Sequence, residues 1–177
     1  MSGSTRVEVS ALTIAGVGDV SMIVDLTVED IDAAAVAALS RRMDQISASP
    51  DPDSLMTGAE KEIKDLLAGG FELDIDQFDV GLPMGTVKSR MSFELPESDR
   101  ASFAWSSLLL ALAGEVYISV PEVLVELATS MDPQAGAIIG MGYLVKDDEH
   151  YTMDAQFKKG LLTINGAPVP LPIGAFQ

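Results

Sequence analysis

Apolar and polar residues alternate one for one through much of this chain, and the alternation is broken by glycine, proline and charged turn signals. No other feature constrains the fold as much, because only a pleated strand sends successive side chains to opposite faces. The pattern is densest toward the C-terminus, in Met141-Gly142-Tyr143-Leu144-Val145-Lys146-Asp147-Asp148-Glu149-His150-Tyr151, in Phe157–Gly166, and in Ala167-Pro168-Val169-Pro170-Leu171. These stretches read as two or three short strands joined at Asp-Asp-Glu, Lys-Lys-Gly and Asn-Gly turns.

The N-terminal half repeats the pattern on a longer scale. Val7, Val9 and Ala11, then Val20, Met22, Val24 and Leu26, flank Gly16-Val17-Gly18-Asp19 and predict a hairpin. Thr27-Val28-Glu29-Asp30 resembles a capping box. Ile31, Ala35, Leu39, Met43 and Ile46 then follow at helical spacing, with Arg41 and Arg42 toward the negative end of the dipole. Past the proline-punctuated stretch 47–54, Ala59, Ile63, Leu66 and Leu67 predict a second helix that Gly69-Gly70 stops.

Phe71, Leu73 and Ile75 give way to Phe78, Val80 and Leu82, a phase shift that a β-bulge near Gln77 produces. Pro83-Met84-Gly85 turns the chain into a strand running to Leu95. A helix from about Asp99 to Ala113 follows, apolar on most sides, then a strand over Val116–Val120 and a helix opened by Pro121. The stretch from Gly136 to Gly142 reads as turns leading into strand. With no regular strand-helix-strand repeat, the class is α+β: an antiparallel, curved sheet built from hairpins, with helices packed on one face. Residues 7–177 form one such domain, with a subdivision point near 96–115, and residues 1–6 read as a disordered start outside it.

Composition narrows the function. The 177 residues include 11 basic and 27 acidic side chains, a net charge of −16, which repels polyphosphates and excludes nucleic acid as a partner. The chain has no cysteine, which removes disulfides, thiolate catalysis and thiolate-ligated metals. The most apolar run, Ala101–Ala113, falls short of the ~20 residues that span a bilayer, so the chain reads as soluble.

No G-x-S-x-G, P-loop or H-E-x-x-H motif occurs, and the one histidine, His150, lies in a turn with no nucleophile motif directed at it. Glu72, Asp74 and Asp76 share a strand face but lack the glycine-pivoted loop of a calcium site, and Asp51 and Asp53 read as turn residues. The glycines of Gly16-Val17-Gly18 and of 136–142 fit turns and close packing. No catalytic residue, metal site or cofactor is therefore expected. The one ligand-lining candidate is the apolar helix, through Phe103, Trp105, Leu108, Leu109 and Leu112, whose side chains suit an acyl chain.

Val116–Pro121 with its following helix, Gly142-Tyr143-Leu144 through Tyr151, and Gly160-Leu161-Leu162-Thr163-Ile164-Asn165-Gly166 together resemble the C-terminal part of the YdgA-like family of uncharacterised bacterial envelope proteins. The resemblance covers roughly residues 115–171 and rests on Gly142, Tyr143, Tyr151, Gly160, Asn165 and Gly166, which are turn and hairpin residues. It implies a periplasmic domain without enzymatic activity, tethered to the inner membrane through an anchor outside this chain. The expected role is protein interaction or self-association, with binding of a lipid or other apolar ligand as the alternative.

Overall fold

The computed structural model describes residues 2–14, 18–47, 59–100, 103–132 and 134–170. Among these, nine strands form one fully antiparallel sheet: β1 (Gly3–Ile14), β2 (Gly18–Glu29), β3 (Phe71–Leu82), β4 (Gly85–Leu95), β5 (Ala113–Pro121), β6 (Val145–Asp147), β7 (His150–Lys158), β8 (Leu161–Ile164) and β9 (Ala167–Val169). Five helices interrupt the meander: α1 (Ala33–Ser47), α2 (Glu60–Ala68), α3 (Trp105–Ala111), α4 (Glu122–Met131) and α5 (Ala135–Gly140). The spatial order β1-β2-β3-β4-β5-β7-β8-β9 follows the chain, and β6 pairs with β7 beside β8. The fold is α+β, as the alternation required.

Register sorts the side chains into rows across the sheet. One row runs Thr5, Leu26, Ile75, Met91, Val116, Ala155, Ile164, Ala167, and the next runs Val28, Leu73, Phe93, Gly114, Phe157, Leu162, Val169. Val7, Val24, Phe78, Ser89, Ile118 and Met153 make a third. None of these rows holds a charged side chain. The intervening rows carry Arg6 and Asp25, Asp74 with Ser92 and Glu115, and Glu29 with Glu72 and Glu94, so the two faces differ completely in chemistry.

The phase shift in β3 is a true bulge. Asp76 and Gln77 together oppose Arg90, which returns Phe78 to the apolar face that Ile75 occupies. Ser89, buried opposite Phe78, is the polar exception in that row, and its hydroxyl donates to the Phe78 carbonyl at 2.9 Å. Gly114 is buried because Phe93 lies against it from the neighbouring strand, and a Cβ there would stand 2.8 Å from the ring.

Several local expectations change, beginning with Gly3–Arg6, which pair with Asp25–Val28 and belong to β1 instead of forming a disordered start outside the domain. Thr27, Val28 and Glu29 continue β2 instead of capping a helix, and the cap is Asp32, whose carboxylate accepts from the Ala34 and Ala35 amides at 2.8 and 3.1 Å. A β-branched pair with an unbroken ladder partner favours the strand, and the cap moves to the next carboxylate. Because α1 runs to Ser47, Arg41 and Arg42 sit mid-helix. The helix expected over Asp99–Ala113 shortens to Trp105–Ala111: Ala113 pairs with Glu94 and Lys158 and opens β5, since a strand position between two partners outweighs a last helical turn. Pro121 closes β5 and caps α4, which begins at Glu122. Residues 135–140 are the short helix α5. The Gly16-Val17 turn and Asp51 and Asp53 lie outside the described residues.

Gly114→Ala should overpack against Phe93 and cost about 1–3 kcal/mol of stability, read as a lower urea midpoint with an unchanged slope.

Candidate functional site

The sheet leaves its apolar face largely uncovered. Among the described residues the buried apolar side chains are Ala35, Ile46, Ala59, Ala68, Leu95 and Val125, and of these Leu95 alone belongs to a strand, at its end. The apolar rows are otherwise half-buried, with Val7 and Val9 at 45% and 39% exposure, and among the described residues no large side chain is fully enclosed. An antiparallel sheet with one apolar face ordinarily packs that face against a second layer.

The opposite face is polar and holds a shallow cavity of about 160 Å³ at the bulge, lined by Asp74, Asp76, Arg90, Ser92, Glu115, Tyr117 and Asp154. The Arg90 guanidinium stacks 4.7 Å from the Tyr117 ring centroid, an arrangement worth roughly 0.5–1 kcal/mol at an exposed site. Toward the strand ends Glu72 stands directly between Glu29 and Glu94 on its two neighbours. Asp74 first, then burial and the flanking Glu29, Glu94 and Asp30, push the Glu72 carboxyl above its usual range. Asp32 is shifted the other way: the Ala35 and Ala34 amides, with Arg100 beside them, hold its carboxyl below the ordinary value.

Among the helix residues expected to line a ligand, the aromatic pair faces α2. Trp105, 43% exposed, meets Phe103 edge-to-face at 5.9 Å and directs its indole N–H to Glu60 of α2 at 3.3 Å. Lys64 closes this small cluster, bonding Glu60 at 2.9 Å. Leu108, Leu109 and Leu112 are half-buried, and the exposed Leu110 reaches the β7–β8 turn at Gly160. His150 lies on another rim, with Pro121, Glu122, Glu126 and Glu149 about a cavity of about 480 Å³, where Lys146 pairs with Glu122. Among the described residues no group of three or more His, Asp or Glu side chains is arranged to hold a metal ion, and no helix is long and apolar enough to cross a membrane.

Three of the C-terminal motif residues, Gly142, Tyr143 and Asn165, converge. The Asn165 side chain accepts from the Asp154 amide at 2.8 Å and donates to the Gly142 and Tyr143 carbonyls at 2.8 and 3.1 Å. Its amide also donates to the Asp154 carbonyl at 2.7 Å. Asp154 lies between the β7 residues that pair with β6 and those that pair with β8, so Asn165 bridges the gap where the two short strands meet end to end. Asn165-Gly166 and Lys159-Gly160 both adopt left-handed backbone, the pairing that tight hairpins demand. Tyr151 pairs with Val120 and Lys146.

A family model describing a bacterial protein of unknown function, DUF945, matches residues 1–172. The chain belongs to the DUF945 family. The match reaches far beyond the stretch 115–171 that carries the motif resemblance, so this DUF945 chain is related to its family through the long N-terminal hairpins as well. No curated protein and no solved structure matches it.

What the sequence did not reveal is the collective surface. Each strand's alternation was visible, but only the register aligns the strands into an uncharged face, and no motif marks that.

Asn165→Ala should cost about 1–3 kcal/mol and loosen β6 before the rest of the sheet, seen as faster amide exchange at Val145–Asp147. Glu72→Gln should raise the urea midpoint at pH 7. A carboxyl with a raised folded pKa contributes its stability below the unfolded value and loses it as pH rises, so the gain should vanish below about pH 4 and shrink in high salt. Asp32, with a depressed folded pKa, gives the opposite slope: its contribution is present at neutral pH and lost as pH falls through the folded pKa, and Asp32→Ala should remove it.

Proposed function

We propose that this DUF945 chain is a non-enzymatic cell-envelope interaction domain that self-associates through the apolar face of its sheet. The observation that carries the reading is the set of uncharged rows, half-exposed across β1, β2, β3, β4, β5 and β7. Eight strands at ~4.8 Å spacing make the face about 38 Å wide, and three rows about 7 Å apart along the strands give an area on the order of 800 Å². A stable interface takes about 800 Å² per partner, so one face laid on another suffices.

Charge favours a second copy as the occupant. The strand carboxylates stand on the opposite face and at the strand ends, so stacking the three uncharged rows of two copies leaves the acidic surfaces in water. A lipid would find acyl contacts on the face, while the cation at its rim, Lys146 opposite Tyr151, is already paired with Glu122. The YdgA-like resemblance of residues 115–171 supports the periplasmic side of the inner membrane as the setting.

Native mass spectrometry of the protein from a bacterial envelope is the test. The expected result is a multimer whose mass Met91→Lys, at the centre of the face, lowers by removing face-to-face stacking while circular dichroism stays unchanged. A monomer carrying a lipid-sized adduct would replace self-association with apolar-ligand binding, and a bare monomer that binds no hydrophobic dye would refute both.

A further inference from the structure

The two edges of the sheet are built differently. β9 is three residues long with Pro168 at its centre, a protected edge. β1 is twelve residues long with no proline, pairs among the described residues only with β2, and keeps every described side chain from Gly3 to Val9 exposed. Its irregularity lies beyond Val9, so the first half presents an unbroken row of backbone donors and acceptors.

The sequence of that half is complementary to itself. An antiparallel pair with a two-fold axis at Val7 sets Val7 against Val7 of the second copy and Val9 against Thr5. The same register sets Arg6 directly opposite Glu8, twice. Arg6 and Glu8 lie on the polar face and Thr5, Val7 and Val9 on the apolar face, so both faces match at once. Arg6 is 3.0 Å from Asp25 and 55% exposed, with its outer side open, and Glu8 makes no ion pair among the described residues. Directly opposite unlike charges and β-branched pairs are the contacts that stabilise an antiparallel ladder.

We infer that two copies of this chain join edge to edge through β1 in the register that pairs Arg6 of each with Glu8 of the other. The axis is perpendicular to the sheet, so the two apolar faces lie on one side and form a single surface of twice the width. This interface is separate from face-to-face stacking, and the two are separable by mutation.

The test is sedimentation and native mass spectrometry of the full chain and two charge variants. Glu8→Lys makes the edge uniformly cationic, and Arg6→Glu makes it uniformly acidic. Each alone should lower the assembly mass by half and raise the dissociation constant about tenfold or more, and mixing the two should restore the parent mass as a mixed assembly. Because Arg6→Glu also removes the Asp25 pair, Glu8→Lys alone keeps the test readable: its loss should recover in about 1 M salt, where like charges are screened. Folded single variants that retain the parent mass, or a mixture that stays at the single-variant mass, would overturn the edge pairing. Met91→Lys separates the interfaces: it removes stacking and should leave the edge-joined dimer, so loss of stacking alone does not count against β1.

Discussion

Cross-strand register is the constraint on which everything else in this molecule depends. Side chains alternate with a period of two, so a slip of one residue would carry a strand's apolar set to the wrong face. The long β1–β2 and β3–β4 pairings fix the register over most of the sheet. The Asp76–Gln77 bulge is the correction that lets β3 keep both Phe71–Ile75 and Phe78–Leu82 on the same side, and Ser89, hydrogen-bonded to the Phe78 carbonyl, closes the gap beside it.

The charge distribution follows from that sorting. With every carboxylate of the strand interiors directed to one face, like charges meet, and Glu72 between Glu29 and Glu94 is held together against their repulsion by the ladder and the apolar rows behind it. The same crowding discourages a partner on the polar side. The uncharged side offers the reverse: three rows without charge and a large area to bury. The helices contribute little cover, since α1 and α2 bury Ala35, Ile46, Ala59 and Ala68 in their own neighbourhood and leave the strand rows half open.

Much of this was legible in advance where a residue's role is local. The hairpin phases, the β3 bulge, the helix over 33–47 and the Asn-Gly and Lys-Gly turns all announce themselves through period and turn chemistry. Thr27-Val28-Glu29 misleads because a capping box and the end of a strand share residue types, and the ladder to β3 decides between them. The helical spacing that groups Phe103, Trp105 and the leucines does not show that Trp105 turns to Glu60 of α2 or that the neighbouring Leu110 reaches Gly160. Those contacts span 45 and 50 residues of chain, and spacing carries no record of them.

By itself the sequence determined the α+β class, the order of the strands along the chain, the acidic charge and the identity of the turn residues, because each depends on neighbours a few positions apart. Only the tertiary structure decided that the strands align into an uncharged face, that no described element layers over it, that Asn165 ties β6 to β8, and that β1 is an edge of the described sheet. Those properties arise from pairing between distant segments, and the hydrogen-bond register that creates them exists only once the sheet has formed.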